Sequence, residues 1–308
     1  MCVKEQTDIT ALQAIQAQIQ SMIEEYDNPY LMRLWGHITH GKMLRSRLIL
    51  EIAGWNAQSV KLSAVVELIQ LASLLHDDVI DNASLRRSKP SINELFGNQN
   101  AVMLGDALYS KAFYYLCDFA TPIARSLSNA VCQLSSGEIW DVFLAQEVNG
   151  SLDVYFQMIE QKTASLIASS AECAAHLAGL DSKAYLHYGK CLGMAFQIVD
   201  DILDITQPQE VLGKPAMSDF KEGKMTLPYL LLQDKLEVWE QERLKAMCGV
   251  ELDTEQREWV ASQMQKHQCI KQSAAIAQKY ANDAVELLPK PYNPKLDAII
   301  ASMVQRSF

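Results

Sequence analysis

The sequence lacks the patterns that build disulfide frameworks and zinc sites. Seven cysteines occur among the 308 residues, and no two of them form a C-x-x-C pair. Cysteines scattered through apolar or mixed segments are typical of reduced thiols in a cytosolic protein. The N-terminus carries acidic residues and has no apolar core of a signal peptide. We therefore expect a cytoplasmic location.

Positive charge and long apolar runs are also scarce. Lys and Arg number 27 against 37 Asp and Glu, a net charge of -10. A nucleic-acid partner therefore has no global electrostatic support, and any anionic ligand must be held by local cations. No run of about 18 uncharged apolar residues is present to span a membrane. We expect no nucleic-acid partner and no transmembrane segment, although 49% hydrophobic residues are enough for a large core.

The alternation of apolar and polar residues that marks half-buried strands is almost absent. Apolar residues recur instead every three or four positions, which predicts helices. The predicted helices cover residues 8–25, 44–53, 63–81, 101–119, 122–143, 152–178, 182–205, 227–234, 238–247, 254–266, 270–287 and 294–303, with 31–38 as a short helix or loop. Residues 82–96 are predicted to form a polar connection. Without a linker or low-complexity tract, the chain is expected to be all-α, with one domain over residues 1–308.

Three aspartates, Asp77, Asp78 and Asp81, follow the apolar helical run at residues 65–75. At 100° per residue, Asp77 and Asp81 share one helix face a turn apart, and Asp78 lies beside them. Their mutual repulsion favours a bound cation. Carboxylate oxygens suit magnesium, which completes its shell with water and substrate phosphate. For this motif alone, a solvated helix end with clustered acids is the alternative.

A second cluster repeats the pattern. Asp200, Asp201 and Asp204 have the same spacing and again follow an apolar run, at residues 191–199. Two such clusters, each embedded in leucine, isoleucine and valine, are hard to explain as solvated acids on the protein surface. Both therefore indicate metal-binding positions.

Cationic residues accompany both clusters. Lys42 and Arg45 lie three apart at a predicted helix start, where free backbone N–H groups also attract anions. Arg86 and Arg87 follow the first cluster, and Lys162 interrupts an apolar helix. A long loop after the second cluster adds Lys214, Lys221 and Lys224. A single lysine is usually a solvated surface residue, but metal-binding acids combined with dispersed Lys and Arg favour a diphosphate ligand.

Together these motifs resemble those of the trans-isoprenyl (polyprenyl) diphosphate synthases, most of all the long-chain octaprenyl type. They comprise GK-x-x-R at residues 41–45, DDVID followed by Arg-Arg, Lys162-Thr163, DDILD preceded by Gln197, and a GK…EGK loop. They occur in order over residues 41–228. Two positions depart from the family pattern. Ser46 stands where the family usually has proline, and residues 218–220 vary a loop that often reads Gly-x-Asp-Leu.

The resemblance implies an isoprenoid-synthase-type helical bundle around a central deep cavity, with the two aspartate clusters facing each other and binding Mg²⁺. It implies that an allylic diphosphate, such as farnesyl diphosphate, ionises and that isopentenyl diphosphate attacks the resulting cation. The implied metal ligands are Asp77, Asp81 and Asp200, with Asp78, Asp201 and Asp204 in support. The implied contacts of the allylic substrate are Lys162, Thr163, Gln197, Lys214, Lys224 and Arg86, and those of isopentenyl diphosphate are Lys42, Arg45, Gln70 and Arg87. Of these residues, Asp77, Asp81, Asp200, Lys162 and Lys214 are predicted to be catalytic.

Product length is predicted from the residues that precede Asp77. Ala72 and Ser73 are small, which leaves a cavity floor open toward Phe113 and Tyr114. The first aspartate motif also has no insertion, which argues against the bacterial short-chain farnesyl type. We therefore expect a long-chain, octaprenyl-like product that supplies a quinone side chain.

Three alternatives stay open. A geranylgeranyl-type synthase would release a shorter product. A terpene cyclase would not need a second complete DDxxD or the cations Lys42, Arg45 and Arg87. A non-catalytic subunit of a heteromeric synthase would have lost acids from one cluster. The resemblance also implies a homodimer with residues 101–119 as the interface, and transient membrane contact during product release is left open.

Overall fold

The structure of the protein, a computed structural model, describes residues 3–148, 150–207 and 216–304, and helices dominate these residues. The helices of the first half are α1 (Val3–Glu24), α2 (Pro29–Trp35), α3 (Leu44–Ala53), α4 (Ala57–Ile80), α5 (Ile92–Phe96), α6 (Asn98–Leu116) and α7 (Thr121–Glu147). Those of the second half are α8 (Leu152–Ile159), a π-turn (Glu160–Ala164), α9 (Ser165–Ala178), α10 (Ser182–Thr206), α11 (Ser218–Lys221), α12 (Leu227–Gln233), α13 (Val238–Met247), α14 (Thr254–Lys266), α15 (Cys269–Ala284) and α16 (Lys295–Val304). The all-α prediction is confirmed.

The chain divides into two compact units. The first contains residues 1–131, 169–186 and 291–296, and the second contains residues 132–168, 187–290 and 297–308. Helices α7, α9 and α10 contribute residues to both units. The expectation of one domain over residues 1–308 stays a prediction.

Helix α4 is the central element of the first unit. It packs against α1, α3 and α6, and its apolar side chains from Leu62 to Leu75 are largely buried. It begins earlier than predicted because Asn56 caps it: the Asn56 side chain accepts hydrogen bonds from the backbone of Gln58 and Ser59. By length and composition α4 could also cross a membrane, but 78% of its most apolar window is buried inside the protein.

A short hairpin follows α4 where the sequence predicted only a polar connection. Strand β1 (Leu85–Arg86) pairs antiparallel with β2 (Lys89–Pro90). The two turn residues between them, Arg87 and Ser88, have φ values of 53° and 60°. Such left-handed pairs form the tight turns that join adjacent strands, usually with Asn-Gly rather than Arg-Ser. Because Arg-Ser is unusual at such a turn, no hairpin was predicted here.

In the second unit, α12 is surrounded by other helices. It packs against α8, α14 and α15. Phe220 of α11 stacks on Tyr229 of α12 with ring centroids 4.2 Å apart, and both side chains are fully buried. The single helix predicted over residues 152–178 is interrupted by the π-turn, so that α8 and α9 are separate elements.

Candidate active site

The first aspartate cluster lies at the end of α4: Asp77 and Asp78 are in its last turn, and Asp81 is its C-cap. Asp77 and Asp81 are partly exposed, whereas Asp78 is 3% exposed. The Arg86 Nε donates to Asp78 Oδ1 at 2.8 Å, and Arg86 Nη2 pairs with the same oxygen. Burial raises the pKa of the Asp78 carboxyl, and Arg86 opposes that rise. Asp78 therefore holds Arg86 in place, while Asp77 and Asp81 are less buried than Asp78.

The hairpin after α4 positions Arg87. The Arg87 Nη1 donates to the Thr39 carbonyl oxygen. The guanidinium lies against Gly41: a Cβ at that glycine would be only 2.8 Å from Arg87 Cζ. The glycine of the Gly41-Lys42 motif thus leaves room for an arginine that is distant in the sequence.

The remaining predicted isopentenyl diphosphate contacts lie on the same unit. Arg45 is in the first turn of α3, and Gln70 is half-buried on α4. Lys42 is exposed just before α3. Arg86 and Arg87 line a small cavity of about 30 Å³ together with Asp78, three residues of the segment before Lys42, and the apolar face of α4. The complete lining is His37, Ile38, Thr39, Leu71, Leu74, Leu75, Asp78, Arg86, Arg87, Pro90, Ser91 and Ile92.

The second aspartate cluster lies on α10 in the second unit. Asp200 is partly exposed, whereas Asp201 is 2% exposed. The Tyr155 hydroxyl donates to Asp201 Oδ2 at 2.5 Å, and Gln197 Nε2 donates to Asp201 Oδ1 at 2.8 Å. The Thr163 hydroxyl donates in turn to Gln197 Oε1 at 2.7 Å. Burial, followed by the charge of Asp219, raises the pKa of Asp201 well above its usual value.

Asp204 fixes the chain that follows the second cluster. It is also 2% exposed. Its Oδ1 accepts from the Ser218 hydroxyl at 2.8 Å and its Oδ2 accepts from the Asp219 backbone N–H at 3.2 Å. The two clusters therefore share a pattern: each combines at least one buried aspartate with at least one partly exposed aspartate.

Lys162 lies in the π-turn and faces two carboxylates of α7. Its Nζ is 2.6 Å from Asp141 Oδ2 and 2.9 Å from Glu138 Oε2. Lys224 Nζ is 3.6 Å from the same Asp141 oxygen and 2.8 Å from Glu222. Burial would raise the pKa of Asp141, but the two lysines outweigh it and lower that pKa below its ordinary value. Asp141 is thus a shared counter-ion for two lysines that the sequence assigned to the allylic diphosphate.

The predicted allylic-substrate residues of this unit converge on one cavity of about 130 Å³. Lys162, Thr163, Gln197 and Lys224 all line it, with Asp201 beside them. Its other lining residues are Asp141, Leu144, Ala145, Tyr155, Met158, Ile159, Asp219, Met225 and Thr226. Lys214, also predicted for this site, lies outside the described residues. Tyr155, Glu138 and Asp141 were not predicted, because a single tyrosine or acid in an amphipathic helix gives no signal of its spatial partner.

Two glycines allow neighbouring helices to pack closely against the backbone of the π-turn. A Cβ at Gly137 of α7 would lie 2.7 Å from Lys162 Cα, and a Cβ at Gly193 of α10 would lie 2.5 Å from Ala164 Cα. These are backbone atoms of the turn and cannot move aside as a flexible side chain would. π-Turns inside helices often occur at functional sites, and here the turn carries the predicted Lys162-Thr163 pair.

Gly137→Ala is expected to lower kcat by about tenfold to 10²-fold, because the added methyl group displaces the Lys162 backbone, and a misplacement of about 1 Å can have this effect. Steady-state kinetics with allylic and isopentenyl diphosphates would measure the loss. Gly36→Ala is the matched control, since its Cβ would meet no atom closer than 3.5 Å. Wild-type kcat in the Gly137 variant would contradict the assigned role of this contact.

The predicted chain-length residues fall into two groups. Ala72 is 0% and Ser73 4% exposed on α4, which packs on α6. On α6, Phe113 stacks on Tyr109 with centroids 6.4 Å apart, and Tyr109 lies 5.7 Å from His76, one turn after Ala72. Phe113 therefore belongs to a row of rings that leads to α4.

Tyr114 has different surroundings. It is 65% exposed, and its ring lies 5.4 Å from Tyr115 and 5.6 Å from Lys111 Nζ. The chain-length role of Tyr114 stays a prediction. Neighbouring residues of a helix point about 100° apart, so Phe113 and Tyr114 do not share a face.

Comparison with known proteins supports the family resemblance that the sequence motifs indicated. The family model for Polyprenyl synthetase matches residues 28–265. The chain belongs to the polyprenyl synthetase family. The expected enzyme class, prenyltransferase, is thereby confirmed.

Individual relatives agree with this membership. A prenyl transferase of Synechocystis sp. is 42% identical over 197 residues, which are 63% of this chain and 61% of that protein. The crystal structure of octaprenyl pyrophosphate synthase from Helicobacter pylori is 44% identical, with a TM-score of 0.92 over 96% of this chain and 99% of that one. A polyprenyl synthase from Caulobacter crescentus, complexed with calcium and isoprenyl diphosphate, is 30% identical with a TM-score of 0.89 over 98% and 97%.

Proposed function

We propose that this chain is a trans-prenyltransferase that condenses an allylic diphosphate, such as farnesyl diphosphate, with successive isopentenyl diphosphates. The product would be a long-chain all-trans polyprenyl diphosphate, octaprenyl-like, for a quinone side chain. The observation that carries the proposal is the cavity of the second unit, where Lys162, Thr163, Gln197 and Lys224 converge beside the second aspartate cluster. Two lysines and two amide or hydroxyl groups around one space of this size suit a diphosphate.

The residues present fit magnesium as the cofactor. Asp77, Asp81 and Asp200 offer partly exposed carboxylates, which are the hard ligands that Mg²⁺ prefers. Within the described ranges, no three acidic, His or Cys side chains form a ready-made metal cage. Mg²⁺ does not need one, because it is usually bound through one or two carboxylates, waters and substrate phosphate. When bound, the ion would stabilise negative charge on the departing diphosphate.

The side chains of the cavity would act on the same leaving group. Lys162 and Lys224 would exchange part of their pairing with Asp141 for the diphosphate oxygens, which accumulate charge as the allylic C–O bond breaks. The electron pair of that bond leaves with the diphosphate, and an allylic cation remains. The apolar lining residues Leu144, Met158 and Ile159 would limit the access of water to it.

The cations of the first unit would hold the second substrate. Lys42, Arg45, Gln70 and Arg87 would bind the diphosphate of isopentenyl diphosphate, whose double bond attacks the allylic cation and forms the new C–C bond. The released diphosphate would take the proton that restores the double bond. Arg86, fixed by Asp78, would contribute to the allylic diphosphate.

Product length is proposed from buried small residues and from similarity. Ala72 and Ser73 are small and buried on α4. The Helicobacter pylori structure that is 44% identical is an octaprenyl pyrophosphate synthase. A geranylgeranyl-type synthase is the second candidate, because small residues at two positions do not by themselves set the number of condensations.

We further propose a cytoplasmic homodimer. Helix α6 leaves Met103 64% exposed and Phe113 36% exposed, beside the exposed ring of Tyr114. A second copy of the chain would cover this apolar surface, which lies within the interface expected at residues 101–119.

A condensation assay tests the function. The protein is incubated with farnesyl diphosphate, radiolabelled isopentenyl diphosphate and Mg²⁺, and the dephosphorylated products are separated by chain length. Octaprenyl-length product is expected. A geranylgeranyl product would support the second candidate, and a cyclic hydrocarbon formed without incorporation of label would replace the proposal with a terpene cyclase. No turnover without a partner protein would favour a non-catalytic subunit.

A further inference from the structure

We propose that Glu67 and Ser46 form a buried positioning pair that fixes the helical turn carrying the cation Arg45 for isopentenyl diphosphate. The inference rests on the proposed function, because it assumes that Arg45 binds that substrate. Neither Glu67 nor Ser46 was among the predicted site residues.

The pair joins two helices of the first unit. Glu67 lies in the middle of α4 with 8% of its surface exposed, and Ser46 is fully buried in the first turn of α3. The Ser46 hydroxyl donates to Glu67 Oε1 at 2.7 Å. The Ser46 backbone N–H also interacts with this carboxyl and lowers its pKa, against the larger effect of burial, which raises it.

Glu67 thereby caps α3 from a different helix. The first backbone N–H groups of a helix have no partner within it. The residue before α3, Met43, has a left-handed backbone with φ 52° and forms no side-chain cap. Ser46 is the third residue of α3, so its N–H is one of these unpaired donors. The hydrogen bond that the Ser46 N–H donates to Glu67 therefore fixes the turn that also carries Arg45.

The charge of the same carboxyl also acts on two arginines of the predicted site. The Arg45 Nε is buried and has no hydrogen-bond acceptor among the residues that the structure describes. Burial lowers the pKa of Arg45 to about 10, and the charge of Glu67 opposes the decrease. Burial likewise lowers the pKa of Arg87, and Glu67 again opposes it. The Glu67 carboxyl that accepts from Ser46 is thus an acidic group whose charge favours the protonated form of both arginines.

This arrangement depends on the residue by which the chain departs from the family pattern. A proline at position 46 would be tolerated in the first helical turn, but it has neither an N–H nor a hydroxyl to donate. Ser46 supplies both donors. On this proposal, the turn that carries Arg45 is held by the bond between Ser46 and Glu67 rather than by a rigid proline.

Ser46→Ala tests the pair. The expected result is an increase of about tenfold in the KM for isopentenyl diphosphate, equivalent to about 1.4 kcal/mol, with the KM for farnesyl diphosphate and kcat within about twofold of wild type. Calorimetric titration with isopentenyl diphosphate should show the same loss of affinity. Ser46→Thr, which keeps the hydroxyl, should restore wild-type values.

The matched control is Ser63→Ala. Ser63 is another fully buried serine, one turn before Glu67 on α4, and its hydroxyl has no hydrogen-bond partner among the described residues.

If Ser46→Ala lowers the melting temperature but leaves the affinity for isopentenyl diphosphate unchanged, the pair is merely structural and the inference is overturned. If Ser46→Ala does not fold, Glu67→Gln is the alternative test of the pair. It removes the charge of the carboxylate and should raise the KM for isopentenyl diphosphate. Failure of the wild-type protein to bind or condense isopentenyl diphosphate would instead overturn the proposed function.

Discussion

Asp200→Asn is expected to lower kcat by about 10³-fold in a protein that still folds. Asp200 is the partly exposed acid of its cluster, whereas Asp201 and Asp204 are each 2% exposed. Asparagine keeps the shape of the side chain but removes the charge that a hard cation requires. Steady-state kinetics over a range of Mg²⁺ concentrations would measure the loss. A second readout is thermal stabilisation by Mg²⁺ with inorganic diphosphate, which the variant should lack.

Two further variants separate this effect from a loss of folding. Asp204→Asn should lower the free energy of unfolding by about 1–3 kcal/mol, because its buried carboxylate accepts from Ser218 and the Asp219 N–H. Asp153→Asn changes an exposed acid of the same unit and should alter neither stability nor kcat. Retention of wild-type kcat and Mg²⁺ dependence in the Asp200 variant would remove Asp200 from the proposed metal ligands.

Helix positions were largely predictable because the apolar periodicity of this chain is regular. Helices α13 and α14 begin and end at the predicted residues 238–247 and 254–266. The start of α4 was missed by six residues, since the polar sequence around Gln58 and Lys61 resembles a loop until the cap at Asn56 is recognised. The hairpin was missed because its turn residues, Arg87 and Ser88, are not the usual Asn-Gly pair, and the π-turn was missed because the glycines packed against it come from other helices.

The residue types of the site were predictable, but their partners were not. The motif residues Lys162, Thr163 and Gln197 do meet, at the cavity of the second unit. Asp141, which shares its charge between two lysines, comes from a helix that carries no motif. A sequence shows which side chains have the chemistry for a diphosphate, but only packing shows which acids hold them. Whether the two aspartate clusters face each other stays a prediction.

Ala72→Tyr is expected to shorten the main product from octaprenyl length to a geranylgeranyl-like length or less. Ala72 is fully buried on the face of α4 that leads, one turn later, to His76 and the rings of Tyr109 and Phe113. A phenol ring there would fill the path that we propose for the growing chain, so elongation would stop after fewer condensations. Product length by thin-layer chromatography of the dephosphorylated prenols would measure the change.

Overpacking is the competing explanation, because a tyrosine inserted into a filled core typically costs about 1–3 kcal/mol or more. Ala174→Tyr controls for it: Ala174 is equally buried, but it lies on α9. This variant should lose stability and yield without changing the length of the product that it still makes. An unchanged product from a folded Ala72→Tyr protein would show that α4 does not limit elongation. If both variants made a shorter product, the shortening would result from the lower stability of the protein and not from a blocked path beside Ala72.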